Sequence, residues 1–376
     1  MPEACGKEAE SHMANLRASD DMRQWLETLV KIESPSGHAE GIGQVMDVVA
    51  EVLGDKGAVS RIPTPAGPMM EISRGQGGAL ILAHADTVWP LGTLAEMPWR
   101  EQGDWVYGPG SLDMKGGIAI AMAAIREIAD SVPYTFLITP DEEVGSDDSR
   151  EAIEDAARRS RLVLVLESGM PGGAVKVGRA GVGDYRLHIR GVESHAGLEP
   201  EKGASAIKEL SHHIQWMEGL ENKVLGTTLN VGVVEGGTRS NVVAGKAWAH
   251  IDVRVTTRSE MERIEATLSA PPRFDARCEV VYEGGFNRPP MEPTVDSQQW
   301  FHEASHIWRQ ATGQELAGVR VGGASDGNLT ALLAPTMDGL GPVGQGAHAR
   351  NEGVDWRYME PRRQLVQELL IRAGRS

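Results

Sequence analysis

The stretch YTFLITPDEEVGS, residues 134–146, decides how the rest of the chain is read. Tyr134 to Ile138 is a β-branched and aromatic run, the composition of a buried strand. Thr139-Pro140 turns the chain, and three carboxylates follow in a row: Asp141, Glu142 and Glu143. Acidic groups this close repel one another, so a cluster just past a strand end calls for a compensating cation or a shared proton. A solvated acidic loop is the ordinary reading of such a triplet. Open α/β sheets, however, build their sites at the carboxyl ends of strands, and other apolar runs in this chain end the same way.

Working outward, ALILA (79–83) reads as a strand and runs directly into His84-Ala85-Asp86-Thr87. A hydrogen-bonded core histidine is the commoner reading of His-x-Asp. At a strand end, His84 could bind a metal through one ring nitrogen while Asp86 fixes its tautomer. RLVLVL (161–166) is a third apolar run and ends in Glu167. GPGSLDMKGG (108–117) sets Asp113 among glycines that permit close backbone approach, ahead of a helix expected over Ile118–Ile128. Capping and the helix dipole explain such an aspartate equally well. His348 lies in PTMDGLGPVGQGAHARNEGV (335–354); a surface histidine is the commoner reading, and the glycine-rich loop with its small neighbours raises the odds of a ligand. Strand ends at His84, at Glu142 and Glu143, and at Glu167, with Asp113 in a glycine-rich loop, form an oxygen and nitrogen donor set. Such a set suits zinc or another divalent ion.

The chain of 376 residues is long enough for two domains, and no apolar run approaches transmembrane length. A formal net charge of -16 argues against nucleic acid or an anionic membrane as partner. Cys5 and Cys278 are far apart and form no metal-ligand pattern, so a metal would rest on His, Asp and Glu. The opening MPEACGKEAESHM lacks the apolar core of a signal peptide, which predicts a cytoplasmic protein with a disordered first dozen residues. Helical spacing runs from Asp20 to Leu53, broken at 32–41, where Ser34, Ser36 and His38 read as loop and cap residues. Beyond Val177 the pattern changes. Strands are expected over 183–192, 227–234, 247–255 and 277–282, with helices over 204–217 and 259–268. That order, βαββαβ, is a ferredoxin-like split unit, small enough to be an insertion. From Pro289 the α/β character returns, with helices expected over 295–310 and 361–372.

HADT (84–87), GPGSLDMKGG (108–117), TPDEEVGS (139–146), LES (166–168), ESHAG (193–197), GGTRSNVV (236–243), GGASDGN (322–328) and GLGPVGQGAHARNEGV (339–354) together resemble a known family. It is the co-catalytic di-zinc exopeptidases of the carboxypeptidase G, aminoacylase and succinyl-diaminopimelate desuccinylase type. NRPP (287–290) and the SDGN and GLGP segments resemble its glutamate carboxypeptidase-like members most. The resemblance implies an α/β/α catalytic domain formed by 1–178 and 290–376. An inserted ferredoxin-like α+β lid and dimerisation domain would span 179–289. It implies two Zn2+, with Co2+ or Mn2+ as substitutes, bridged by Asp113. His84 and Glu167 would hold one ion, Glu143 and His348 the other. Glu142 would be the general base, and Asp86 would orient His84. His195 would reach the neighbouring subunit's site in a homodimer and stabilise the oxyanion there. Asn241 and Arg288 would bind the substrate's terminal carboxylate. The family also tends to have a cis peptide after the bridging aspartate, here Asp113-Met114. Two departures stand out: Ser168, not proline, follows Glu167, and a substrate-holding lysine has no clean counterpart, leaving Lys176 or Arg179 to substitute.

Paired dications lower the pKa of a water toward neutrality, and a glutamate beside them can move its proton to the leaving amine. The expected activity is hydrolysis of the amide bond to a C-terminal amino acid, with glutamate as the leading candidate. The alternatives are an N-acyl amino acid, an amino acid conjugate or a dipeptide as substrate. More remote is a metal-binding scaffold without catalysis, which would need neither Glu142 nor His195.

Overall fold

The computed structural model describes Leu16 and residues 21–375. The expected disorder of the first dozen residues and the expected helix start at Asp20 lie outside them. The chain divides into two compact units. One comprises the described residues up to Val177 with Pro293–Arg320 and the described residues from Ser325 on; the other is Gly178–Glu292 with Val321–Ala324. Boundaries expected at 178/179 and 289/290 thus compare with 177/178 and 292/293.

The first unit is built on a six-stranded sheet: β1 (Ala58–Thr64), β2 (Gly67–Arg74), β3 (Ala79–His84), β4 (Tyr134–Thr139), β5 (Leu162–Val165) and β6 (Thr336–Met337), in the order β1-β2-β4-β3-β5-β6. β3 pairs in parallel with β4 and β5, and β6 in parallel with β5, while β2 runs antiparallel to β4. Every residue of β3 and β5 is buried, as expected of parallel strands covered on both faces. Successive side chains alternate between those faces. Ile81, Phe136 and Leu164 join the core formed with helices α1 (Met22–Val30), α2 (Ala39–Leu53), α3 (Gly116–Glu127), α5 (Val295–Thr312) and α6 (Met359–Gly374). Leu80, Leu82, Leu137 and Val163 pack with Ile153, Ala156 and Ala157 of α4 (Arg150–Arg158).

Caps agree with the sequence. His38 caps α2, its Nδ1 accepting from the backbone N–H of Gly41. Helix α3 is buried from Gly116 to Ile125, and its opening glycines permit close packing. A Cβ on Gly117 would lie 2.3 Å from the Leu166 carbonyl oxygen, and one on Gly341 2.1 Å from the same atom. The peptide before Glu167 is therefore gripped between two glycines. The hairpin β1–β2 and the small sheet of Arg100–Gln102, Trp105–Tyr107, Gly344–Gln345 and Gly353–Asp355 were not expected. The small sheet's strands of two or three residues carry too little alternation to stand out, and β1 is exposed over nearly all its length and so shows no apolar periodicity.

The second unit follows the order βαββαβ: strand Gly181–Arg190, helix Ala206–Glu218, strands Thr228–Gly236 and Lys246–Val255, helix Arg258–Ser269 and strand Glu279–Arg288. Its sheet runs from Thr228–Gly236 through Lys246–Val255 and Gly181–Arg190 to Glu279–Arg288, antiparallel throughout. One face carries the core with both helices, including Leu187, Ile251, Leu210 and Ile264. The last strand outruns the expected 277–282. Gly284 and Gly285 look like an end, but Gly284 takes φ 103° and stays paired opposite Tyr185. A Cβ there would lie 2.1 Å from the Asp184 carbonyl oxygen. Among the described residues no helix is long and apolar enough to cross a membrane.

Candidate metal centre

Parallel pairing carries the carboxyl ends of β3, β4 and β5 to one edge of the sheet. His84 ends β3, Glu142 and Glu143 follow β4, and Glu167 follows β5. Asp113 reaches the same place from the segment before α3, whose Asp113-Met114 peptide is cis. His348 arrives on the loop before Gly353–Asp355 with φ 59°, a left-handed conformation uncommon for a residue with a side chain.

Asp113 stands in the middle. Its Oδ1 is 3.3 Å from His84 Nε2, and its Oδ2 is 3.2 Å from His348 Nε2. Beside His84 Nε2 lies Glu167 Oε1, at 3.5 Å. Beside His348 Nε2 lies Glu143 Oε2, at 3.3 Å. One carboxylate therefore faces two clusters, one atom to each. A ligand atom of Glu142 also lies within 4.8 Å of those of His84 and Glu167.

Among the described residues, His84 Nε2, Asp113 Oδ1 and Glu143 Oε1 are buried with no partner at proper hydrogen-bond geometry. Buried polar groups are costly when unpaired, and three of them converging on one point fit a cation. The electrostatics agree. Burial alone would push Asp113 up, but His348 and His84 hold it far below the usual carboxylate range. Burial would lower His84, yet the nearby carboxylates of Asp113, Asp86 and Glu167 raise it well above an ordinary imidazole. Asp113 and Glu143 push His348 up to about 10. Burial raises Glu143. The cage stabilises positive charge wherever it can find it.

Around this cage, Asp86 does more than orient a ring. His84 Nδ1 lies 2.9 Å from the Asp86 carbonyl oxygen and 3.3 Å from Oδ1. The same carboxylate accepts from the backbone N–H groups of Glu142 (3.1 Å) and Glu143 (3.2 Å) and from Ser36 Oγ (2.7 Å). It thus fixes the turn that aims both glutamates. Asp141, the first acid of the triplet, faces elsewhere, accepting from Ser149 Oγ and the Asp148 N–H.

Sequence reading passed over Glu352 and treated Ser36 as a loop residue. Glu352 is buried and accepts from the backbone N–H groups of Gly110, Leu112 and Asp113 and from Trp89 Nε1. It anchors the segment that carries Asp113. The one available signal was a glutamate four residues past His348 in the same loop.

The remaining expected site residues belong to the second unit. His195 is exposed, and its Nδ1 accepts from the N–H groups of Gly197 and Leu198, both at 3.1 Å. Its segment bridges to that of Asn241: His195 pairs with Val242, and Ala196 N–H donates to the Asn241 carbonyl. Arg288 is buried at the end of its strand. Of the two basic candidates, Arg179 is buried in this unit and donates to the carbonyls of Gly323 and Ala324. Lys176 is buried in the first unit.

Residues 80–372 match the family described as Peptidase family M20/M25/M40. The chain belongs to this family. Its relatives include carboxypeptidase G2 of Pseudomonas sp. (strain RS-16), 29% identical over 368 residues, covering 93% of this chain and 88% of that one. A succinyl-diaminopimelate desuccinylase of Cupriavidus necator is 28% identical over 334 residues, covering 80% and 84%. Among solved structures, aminopeptidase PepT from Bacillus cereus superposes with a TM-score of 0.75 at 22% identity, covering 94% of this chain and 98% of that one. The M20 family metallo-carboxypeptidase Sso-CP2 from Sulfolobus solfataricus gives 0.67 at 17% identity, covering 95% and 100%. M20 membership makes the chain a metallopeptidase or amidohydrolase, one of the zinc-dependent hydrolases of C–N bonds. The α/β catalytic unit and ferredoxin-like unit are the architecture of that family.

Proposed function

We propose that this M20 enzyme holds two zinc ions and releases a C-terminal amino acid from an acyl or peptidyl group, with glutamate the leading candidate. Co2+ or Mn2+ would substitute for zinc. The observation that carries the reading is Asp113, whose two oxygens face separate clusters, His84 with Glu167 and His348 with Glu143. When bound, the ions would supply Lewis acidity for water activation and for charge developing on the scissile carbonyl oxygen.

The chain supplies the rest. Glu142 carries the proton from water to the leaving amine as general base and then acid. Its backbone is fixed by Asp86, which leaves its carboxylate beside the cage. His195 donates to the oxyanion. A backbone N–H can only donate, so Nδ1, which accepts two of them, is unprotonated in neutral His195, and the proton sits on Nε2. That nitrogen is left as a donor. Asn241 and Arg288 bind the substrate carboxylate, the guanidinium through charge-assisted hydrogen bonds.

His195 acts across a homodimer formed through the second unit, and the enzyme works in the cytoplasm on small peptides or N-acyl amino acids. The carboxypeptidase G2 likeness supports release of a C-terminal amino acid in general. The test is a metal-replete hydrolysis screen over N-acyl glutamate, N-acyl aspartate and N-acyl neutral amino acids, with and without chelator. Chelator-sensitive release of glutamate above the others is expected. Preference for a neutral amino acid sinks the specificity, and turnover unaffected by metal removal sinks the mechanism.

A further inference from the structure

A second cavity, of about 280 Å3, opens within the first unit and shares no residue with the metal cage. Its volume equals roughly nine waters of bulk liquid and approaches the lower end of small-molecule sites, about 300 Å3. Phe301, Val177 and Met337 give it an apolar floor. Two basic side chains line it: Lys176, buried, and Arg320, exposed. Among the described residues the Arg320 side chain makes no hydrogen bond or ion pair, and the side-chain amide of Gln298, which lines the same cavity, makes none either. No acidic residue and no histidine lines the cavity, so it offers neither a general base nor a metal ligand. Lined by cations, neutral polar groups and apolar groups and by no acid, the cavity suits an anion despite the net charge of -16. The planar guanidinium matches a carboxylate in two parallel hydrogen bonds.

We propose that this cavity binds a small amphipathic carboxylate, its head on Arg320 and Gln298 and its apolar body over Phe301. The place in the chain is unusual. Val177 and Arg320 are the residues at which the chain leaves the first unit, and Pro293, also in the wall, is where it re-enters. An occupant therefore touches three of the connecting segments at once.

This site goes beyond the hydrolytic reading and does not depend on it, because its test needs no turnover. Phenylacetate is titrated into the metal-loaded protein by calorimetry, beside inorganic phosphate, which has the charge but no apolar body. Saturable binding of phenylacetate is expected, weakened at least about tenfold by Arg320→Glu and by Phe301→Ala. Phosphate is expected to bind at least about tenfold more weakly. Circular dichroism checks that the variants fold; Arg320 is exposed, so its replacement leaves the core intact. Equal affinity in wild type and Arg320→Glu, as binding at the metal cage would give, overturns the proposal. So does phosphate binding as tightly as phenylacetate.

Discussion

Adjacent glutamates can do separate work only if something turns them apart. Here that is Asp86, whose two carboxylate oxygens take the N–H groups of Glu142 and Glu143 one each. Glu142→Gln is predicted to keep its metal and its fold while kcat drops by at least about a hundredfold, the usual scale for general acid–base catalysis. Metal analysis alongside steady-state kinetics checks both halves; near-normal turnover removes Glu142 from the mechanism. Glu352 shows what residue-level reading misses. It acts on backbone N–H groups, which leave no trace in the sequence, and its partners at 110–113 lie some 240 positions away. Removing it by Glu352→Ala leaves those donors unsatisfied in the interior. Metal affinity is expected to fall about 10- to 100-fold, as when other outer supports of a metal site are lost. Competition with a chromophoric chelator measures it, and an unchanged affinity would reduce Glu352 to a packing residue.

At the scale of elements, parallel pairing of β3, β4 and β5 brings three distant candidate-ligand segments to one edge. These strands were legible because buried parallel strands are continuous apolar runs. The helices were legible through spacing and caps: α2 begins where His38 was read as a cap. How closely elements approach was not legible. Gly117 and Gly341 flank the Leu166 peptide so tightly that neither admits a Cβ. Gly117→Ala is expected to cost about 1–3 kcal/mol, the scale of overpacking a filled core. It should also weaken metal binding by displacing Glu167. Denaturant unfolding and metal titration report the two effects; a stable variant with normal metal affinity would show that α3 shifts freely.

At the scale of the whole molecule, a metal bound in this cage would compete with protons. In metal-free protein His348 titrates near 10, against about 6.5 for a free imidazole. Metal must displace that proton, so affinity should rise with pH up to about 10, with protons released on binding. The sign for stability follows. His348 is raised on folding, so its contribution to metal-free protein is full below about 6.5 and is lost as pH rises through about 10. Metal-loaded protein should lack that decline. Unfolding of both forms across this range checks it, and parallel curves would contradict it. Assembly is the second prediction at this scale. Light scattering should show a dimer, and a strictly monomeric, fully active enzyme would contradict the role given to His195.

The sequence by itself determined most of the longer elements, though not the β1–β2 hairpin or the small sheet, and it offered a two-part organisation and a short list of candidate metal-seeking side chains. Those follow from local patterning: apolar runs, turn residues, and acids or histidines at strand ends. Only the tertiary structure decided which atom of Asp113 faces which histidine, that Asp86 steers the glutamate pair, and that Glu352 and two glycines hold the cage in place. These are contacts between backbone and side chain across long separations. Their energy comes from satisfying buried polar groups and from close packing, and neither leaves a periodic mark on the chain that makes them.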